Sequence, residues 1–190
     1  MAAASAMCDV FLDGLPILDA LEVCGSTAAA ARWINCDQSS VSRAYRRVSG
    51  QLDLRFNKDD GGYQANNNQA LLASLRRASQ LRRLSGGPER LQWLRHPDVR
   101  LPRAAEPALE PLACSWRQHQ RSIDLLQRRV LDLALVMQAP APTHSRAGET
   151  IRAIRLPPRH NLTALVMDEL SDHPSITALI QQFSAPLQQT

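Results

Sequence analysis

Gln38, Ser39, Ser42, Arg43 and Arg46 are the side chains of this chain whose types and spacing can do recognisable chemistry. A Gln amide can bond an adenine edge with both of its ends, a Ser hydroxyl can bond a base or a phosphate, and an Arg guanidinium can grip guanine or phosphate. Val41, Tyr45, Val48 and Leu52 recur between them at i, i+4, i+7 and i+11, so one helix would bury that apolar stripe and turn the polar set the other way. The same pattern also describes an ordinary amphipathic helix with a solvated face, and on this helix alone the two readings stand level.

The surrounding residues must position that face. Ala28 to Ile34 is a strong helix former in which Ala30 and Ala31 let a neighbour approach closely and Ile34 closes the buried side. Asn35 marks a tight turn, because Asn tolerates a positive φ, and Asp37 is placed to cap the following helix. Upstream, Pro16 suits a first helical turn, Ile17, Leu18, Leu21 and Val23 form its apolar side, and Gly25 is a natural stop. Two short helices joined by a sharp corner and braced by a third make a helix-turn-helix.

Gly25-Ser26, Ala30-Ala31, Ile34, Gln38-Ser39, Val41-Ser42-Arg43 and Val48 resemble, without a gap, the N-terminal winged helix-turn-helix of LysR-type transcriptional regulators. The pattern continues through Leu52, Phe56, Lys58 and Leu71-Leu72, covering roughly residues 15–84. The resemblance implies that Gln38, Ser39, Ser42, Arg43 and Arg46 contact DNA, with Arg47, Arg55 and Lys58 placed for phosphates. There are departures. Thr27 and Ala28 stand where the family usually has an aromatic and a Thr, Asp37 and Ala65 replace capping Ser and Thr residues, and Asp53 replaces a glycine. Gly50 interrupts the end of the recognition helix, and Asn66, Asn67 or Asn68 is expected to cap the next one. Asp59-Asp60-Gly61-Gly62 is good hairpin chemistry for a wing, but its two carboxylates oppose phosphate contact.

Composition is consistent with a DNA partner and argues against several other classes. The chain has 190 residues, 44% of them hydrophobic, and a formal net charge of +4. That charge is uneven. Residues 1–42 carry Arg32 against Asp9, Asp13, Asp19, Glu22 and Asp37, whereas residues 43–83 carry Arg43, Arg46, Arg47, Arg55, Lys58, Arg76, Arg77, Arg82 and Arg83 against Asp53, Asp59 and Asp60. Cys8, Cys24, Cys36 and Cys114 have no paired spacing and the histidines are scattered, so neither a metal site nor a disulfide framework is expected. No enzyme motif and no cofactor motif is present. No apolar run reaches membrane-spanning length, and residues 1–7 lack an export signal, which together give the expectation of a cytoplasmic protein with an N-terminal extension and Met7 as an alternative start.

The expected organisation is α/β: an extension at 1–14, a winged helix-turn-helix at 15–66, a linker helix and hinge at 67–87, and a truncated effector-like α/β domain at 88–190. In the linker helix Leu71, Leu75 and Ala78 approach a heptad spacing with Arg76, Arg77, Arg82 and Arg83 around them. The pattern fits packing on its own domain as well as pairing, and the resemblance implies a homodimer. Ser85-Gly86-Gly87-Pro88 breaks the helix. Beyond it the patterns predict strands at 91–94, 131–137, 151–156 and 162–167 and helices at 115–129 and 174–183. Leu131-Asp132-Leu133-Ala134 resembles a strand of the LysR effector domain. The tail is too short for the family's two lobes, so one is read as deleted between about 138 and 149, which leaves small-molecule sensing open; Trp116, Arg117 and His119 are the only hint of a pocket. Two functional readings remain. One is a sequence-specific regulator binding double-stranded DNA as a dimer; the other is an interaction protein that has lost specific DNA binding and pairs with a full-length relative.

Overall fold

The structure is a computed structural model that describes residues 14–59, 62–95, 99, 117–137, 150–157 and 162–184. It is of mixed helical and sheet, α/β class, with N-terminal helices followed by a small sheet domain. Two compact units divide at Arg76/Arg77, so the expected hinge at 85–88 falls inside the second of them.

The first unit contains α1 (Leu15–Cys24), α2 (Thr27–Trp33), α3 (Gln38–Gln51), the hairpin of β1 (Phe56–Asp59) and β2 (Gly62–Ala65), and the start of α4 (Gln69–Ser85). Pro16 sits in the first turn of α1, and Gly25 ends it with φ 68°, a left-handed conformation that costs glycine nothing. Gly14 is required by space instead, since a Cβ there would lie 2.8 Å from Val48 on α3. Ser26 caps α2 by accepting the Ala29 N–H at 3.1 Å. Asn35 turns the corner at φ 53° as its residue type predicts.

Three local expectations need correction. Asp37 occupies the N-cap of α3, but its side chain makes no cap hydrogen bond, and its carbonyl takes the Ser40 N–H at 2.9 Å. Gly50 does not interrupt α3, which runs through it to Gln51. The side chains of the Asn66–Asn68 run bond other segments than α4: Asn66 donates to Asn57 of β1 at 3.0 Å, and Asn67 and Asn68 bond the loop before β1. Asn67 accepts from the Arg55 N–H at 2.5 Å and donates to the Asp53 carbonyl at 2.6 Å, and Asn68 donates to Leu52 and Asp53. These bonds hold Asp53 at φ 46°, the left-handed geometry that explains why a glycine would suit that position.

The core of this unit forms as the stripe predicts. Val41 and Val48 are fully buried, and Leu15, Leu18, Leu54 and Leu72 pack around Val48 while Leu21, Ala30 and Ala31 pack around Val41. Burial of each such aliphatic side chain contributes about 1.5–3 kcal/mol. Tyr45 joins the two clusters and meets the rings of Phe56 and Tyr63 edge-on at 5.4 and 5.7 Å. Burial, and then Tyr63, raise its phenol above the usual value. Arg76, 3% exposed, reaches Asp19 at 2.7 Å and Glu22 at 3.1 Å, so both carboxylates of α1 are enclosed with it.

The second unit contains the rest of α4, β3 (Trp93–Arg95), α5 (Arg117–Gln127), β4 (Leu133–Met137), β5 (Ile151–Arg155), β6 (Leu162–Met167) and α6 (Pro174–Ser184). Its sheet runs β3-β4-β6-β5, with β3 parallel to β4 and the other pairings antiparallel. The apolar runs of β4 and β6 occupy the two central, buried positions, as continuous hydrophobic strands should. Ile176, Leu179 and Phe183 of α6 are buried, and Phe183 lies 4.7 Å from the ring of Trp93.

Two strands begin later than their sequence patterns predict, β3 at Trp93 and β4 at Leu133. Just before them, Asp132 is fully buried and accepts from Arg83 Nε at 2.7 Å, Gln80 Nε2 at 3.1 Å and the Gln92 N–H at 2.8 Å, while its own N–H donates to the Gln92 carbonyl at 2.7 Å, which makes it a hub. Arg129 adds to it through Gln80 at 2.8 Å and Glu169 at 2.6 Å. The Ser175 hydroxyl donates to the Leu84 carbonyl at 2.7 Å. The segment proposed to replace a second lobe, 138–149, and the pocket hint at Trp116 and the Arg117 and His119 side chains lie outside what is described.

Candidate nucleic-acid interface

Burying Val41, Ala44 and Val48 leaves one face of α3 in solvent. Gln38, Ser39, Arg43, Arg46 and Arg47 are exposed on it, and Ser42 is half-buried. The predicted set is therefore brought together on one helix whose buried side fixes its orientation. Arg43 leans on Ser40 at 3.3 Å, and the Gln38 amide donates to the Thr27 hydroxyl of α2 at 3.0 Å.

The hairpin follows α3 with Phe56 opposite Ala65 and Asp59 opposite Gly62. Ala65 is buried and Phe56 packs on the core, which anchors the base of the wing. Lys58 is exposed, with its ammonium 5.9 Å from the centre of the Tyr63 ring. Asp60, Gly61 and the side chain of Asp59 lie outside the described residues, so the acidic tip expected from sequence is not placed here.

Electrostatics sharpen the picture that the charge count suggested. Asp19 and Glu22, which make the N-terminal segment look acidic, are buried against Arg76. Among the described residues of the first unit the remaining cations, Arg32, Arg43, Arg46, Arg47, Arg55 and Lys58, are all exposed. Such a surface attracts a polyanion, and the attraction weakens as salt screens it. Asp37 and Asp53 are the exposed carboxylates among them.

On α4 the expected dimerisation residues separate. Leu71 is 44% exposed and Ala78 is exposed, whereas Leu75 is half-buried and packs on the first unit's own core. Leu81, 57% exposed, is the other large apolar side chain left open on this helix. Arg77 and Arg82 are exposed, while Arg76 and Arg83 are taken up by buried carboxylates.

Sequence reasoning missed Thr27, the Arg76 cluster and the Asp132 hub. The available signal was an acidic pair, Asp19 and Glu22, on a helix otherwise lined by Leu and Val. Among the described residues no cluster of His, Cys, Asp and Glu is arranged to hold a metal ion, and no helix is long and apolar enough to cross a membrane. Cys24 is half-buried and Cys36 exposed; Cys8 and Cys114 lie outside the described residues.

No family model and no curated protein matches the sequence. Among solved structures the chain is similar to a full-length OxyR variant from Pseudomonas aeruginosa, at 12% identity and a TM-score of 0.39 over 74% of this chain and 53% of that one. It is also similar to full-length CbnR in complex with its target DNA, at 14% identity and a TM-score of 0.33 over 75% of this chain and 54% of that one. This chain thus spans about half the length of the two solved chains, both LysR-family regulators, and the likeness is a coarse one of fold.

Proposed function

We propose that this protein is a transcriptional regulator of LysR type that binds duplex DNA in a sequence-specific manner, as a homodimer, with α3 in the major groove. The observation that carries the reading is the exposed face of α3. A helix whose Val41, Ala44 and Val48 are buried presents Gln38, Ser39, Arg43 and Arg46 together, beside the exposed cations Arg47, Arg55 and Lys58. Groove-entering helices need this combination of base-edge and phosphate chemistry on a rigid support. Ser42 completes the proposed contact set.

Dimerisation is proposed through α4. Leu71, Ala78 and Leu81 are exposed at spacings that put them on one side of the helix, an apolar seam that a second copy would cover. No catalytic role and no cofactor is assigned.

One observation favours the rival, an interaction protein without specific DNA binding. The Asp37 carboxylate is exposed at the start of α3 and is not used as a cap, so it faces the region where a phosphate would approach. Selection of bound sequences from a random duplex library by the purified full chain separates the two. Enrichment of a defined motif, with two half-sites for a dimer, supports the regulator; recovery of unenriched DNA, or of none, supports the rival.

A further inference from the structure

The amide of Gln38 is not free to rotate as an exposed Gln usually is. Its Nε2 donates to Thr27 Oγ1 at 3.0 Å, across the corner between α2 and α3. Thr27 is the first residue of α2, and the capping of that helix is already done by Ser26, so the Thr27 hydroxyl is not needed by its own backbone. Its β-branched side chain has few rotamers. The helix beneath it is held by the buried Ala30 and Ala31, and the corner is fixed by Asn35 at φ 53°. The acceptor offered to Gln38 is therefore rigidly placed.

We propose that Thr27 is a specificity-determining positioning residue that holds the Gln38 amide in its reading position, an inference that rests on the DNA-binding function proposed above. One amide hydrogen of Gln38 is held by Thr27. The carbonyl Oε1 and the second amide hydrogen remain, an acceptor beside a donor, which complements the N6 amino group and N7 of adenine. The Thr27 hydroxyl can also donate, so a half-turn of the amide would keep the contact through its carbonyl; what the contact fixes is the position of the amide. The hydroxyl thus holds the amide in place before DNA arrives, and a side chain ordered in advance loses less entropy on binding. The substrate feature recognised is an adenine at the position facing the N-terminus of α3.

The test uses the full chain, the duplex selected by the wild type, a duplex with the adenine pair replaced, and an unrelated duplex. Thr27→Val keeps the shape and removes the hydroxyl, Thr27→Ala serves should Val disturb folding, and Thr27→Ser keeps the hydroxyl. Thr27→Val is expected to lower the preference for adenine about three- to tenfold, with affinity for unrelated DNA unchanged. Thr27→Ser should retain the preference. On a Gln38→Ala background Thr27→Val should have no further effect, since Thr27 acts through Gln38. An unchanged preference in Thr27→Val, an equal loss on unrelated DNA, or the same loss without Gln38 overturns the positioning role while leaving DNA binding intact. A wild type that selects no sequence instead removes the DNA reading itself, and this role with it.

Discussion

Each unit exposes some arginines and encloses others, and the two units differ in what the enclosed ones hold together. In the first, Arg43, Arg46, Arg47 and Arg55 are exposed, with the apolar stripe of α3 buried beneath them. In the second, Arg77, Arg82, Arg90, Arg152 and Arg155 are exposed, whereas Arg83 is bonded to the buried Asp132 and Arg129 is buried against Gln80 with one bond to the exposed Glu169. Burial of a charge is tolerated only where a partner and hydrogen bonds replace the lost water, so inward arginines mark architecture and outward ones remain available to a ligand. Arg76 follows the architectural pattern within the first unit. The basic block read from sequence is therefore a mixture, and only its exposed members can serve the proposed DNA contact.

The largest effects should come from breaking the inward set. Asp132→Ala strands Arg83 in a buried site, and Arg76→Met leaves Asp19 and Glu22 enclosed without their cation; each is expected to cost about 3–5 kcal/mol in urea unfolding. Replacing Asp132 and Arg83 together by Leu and Met should cost much less than Asp132→Ala. Equal costs would mean that packing, not charge, dominates the hub.

Assembly is the next test. Leu71→Asp with Leu81→Asp should convert dimers to monomers in sedimentation without loss of secondary structure, because both side chains are exposed in the single chain. Leu75→Asp is expected to unfold the first unit as well, since Leu75 packs on its core. A folded, dimeric double variant would place the interface elsewhere.

Smaller effects probe the outward set. Arg43→Gln and Arg46→Gln should each reduce the slope of log affinity against log salt by about 0.9, while Arg152→Gln, an exposed ion pair of the second unit, should leave the slope unchanged. Gly50→Ala should stabilise the first unit by about 0.5–1 kcal/mol, because Gly50 is helical and a Cβ there meets nothing within 4 Å. Tyr45 supplies a pH test. A phenol whose folded value is raised favours the neutral form, so its stabilisation is present below the unfolded value of about 10 and is lost as pH rises towards the folded one. The melting temperature should fall above about pH 10, and Tyr45→Phe should flatten that fall.

Much of this arrangement was legible in the sequence because it is local. The Val41 stripe, the Asn35 corner, the Gly25 stop and the apolar runs of β4 and β6 each follow from residues within a few positions of one another. What was not legible depends on partners far apart in the chain. Arg76 and Asp19 are separated by 57 residues and Arg83 and Asp132 by 49, and nothing in a helical pattern of Arg and Leu tells a buried guanidinium from a solvated one. The same limit hid the work of Asn67 and Asn68, whose side chains bond a loop that comes before the wing. For the candidate site, side-chain type and helical phase were enough to place the proposed set on the exposed side of α3, but not to show the hydrogen bond from Gln38 to Thr27.

The central claim is that the outward face of α3 reads bases. Its most direct test is the affinity of Gln38→Ala, relative to the wild type, for the selected duplex and for an unrelated one. The expected result is a loss on the order of 1–3 kcal/mol on the selected duplex and little change on the other. Equal losses on both, or no loss on either, would contradict it.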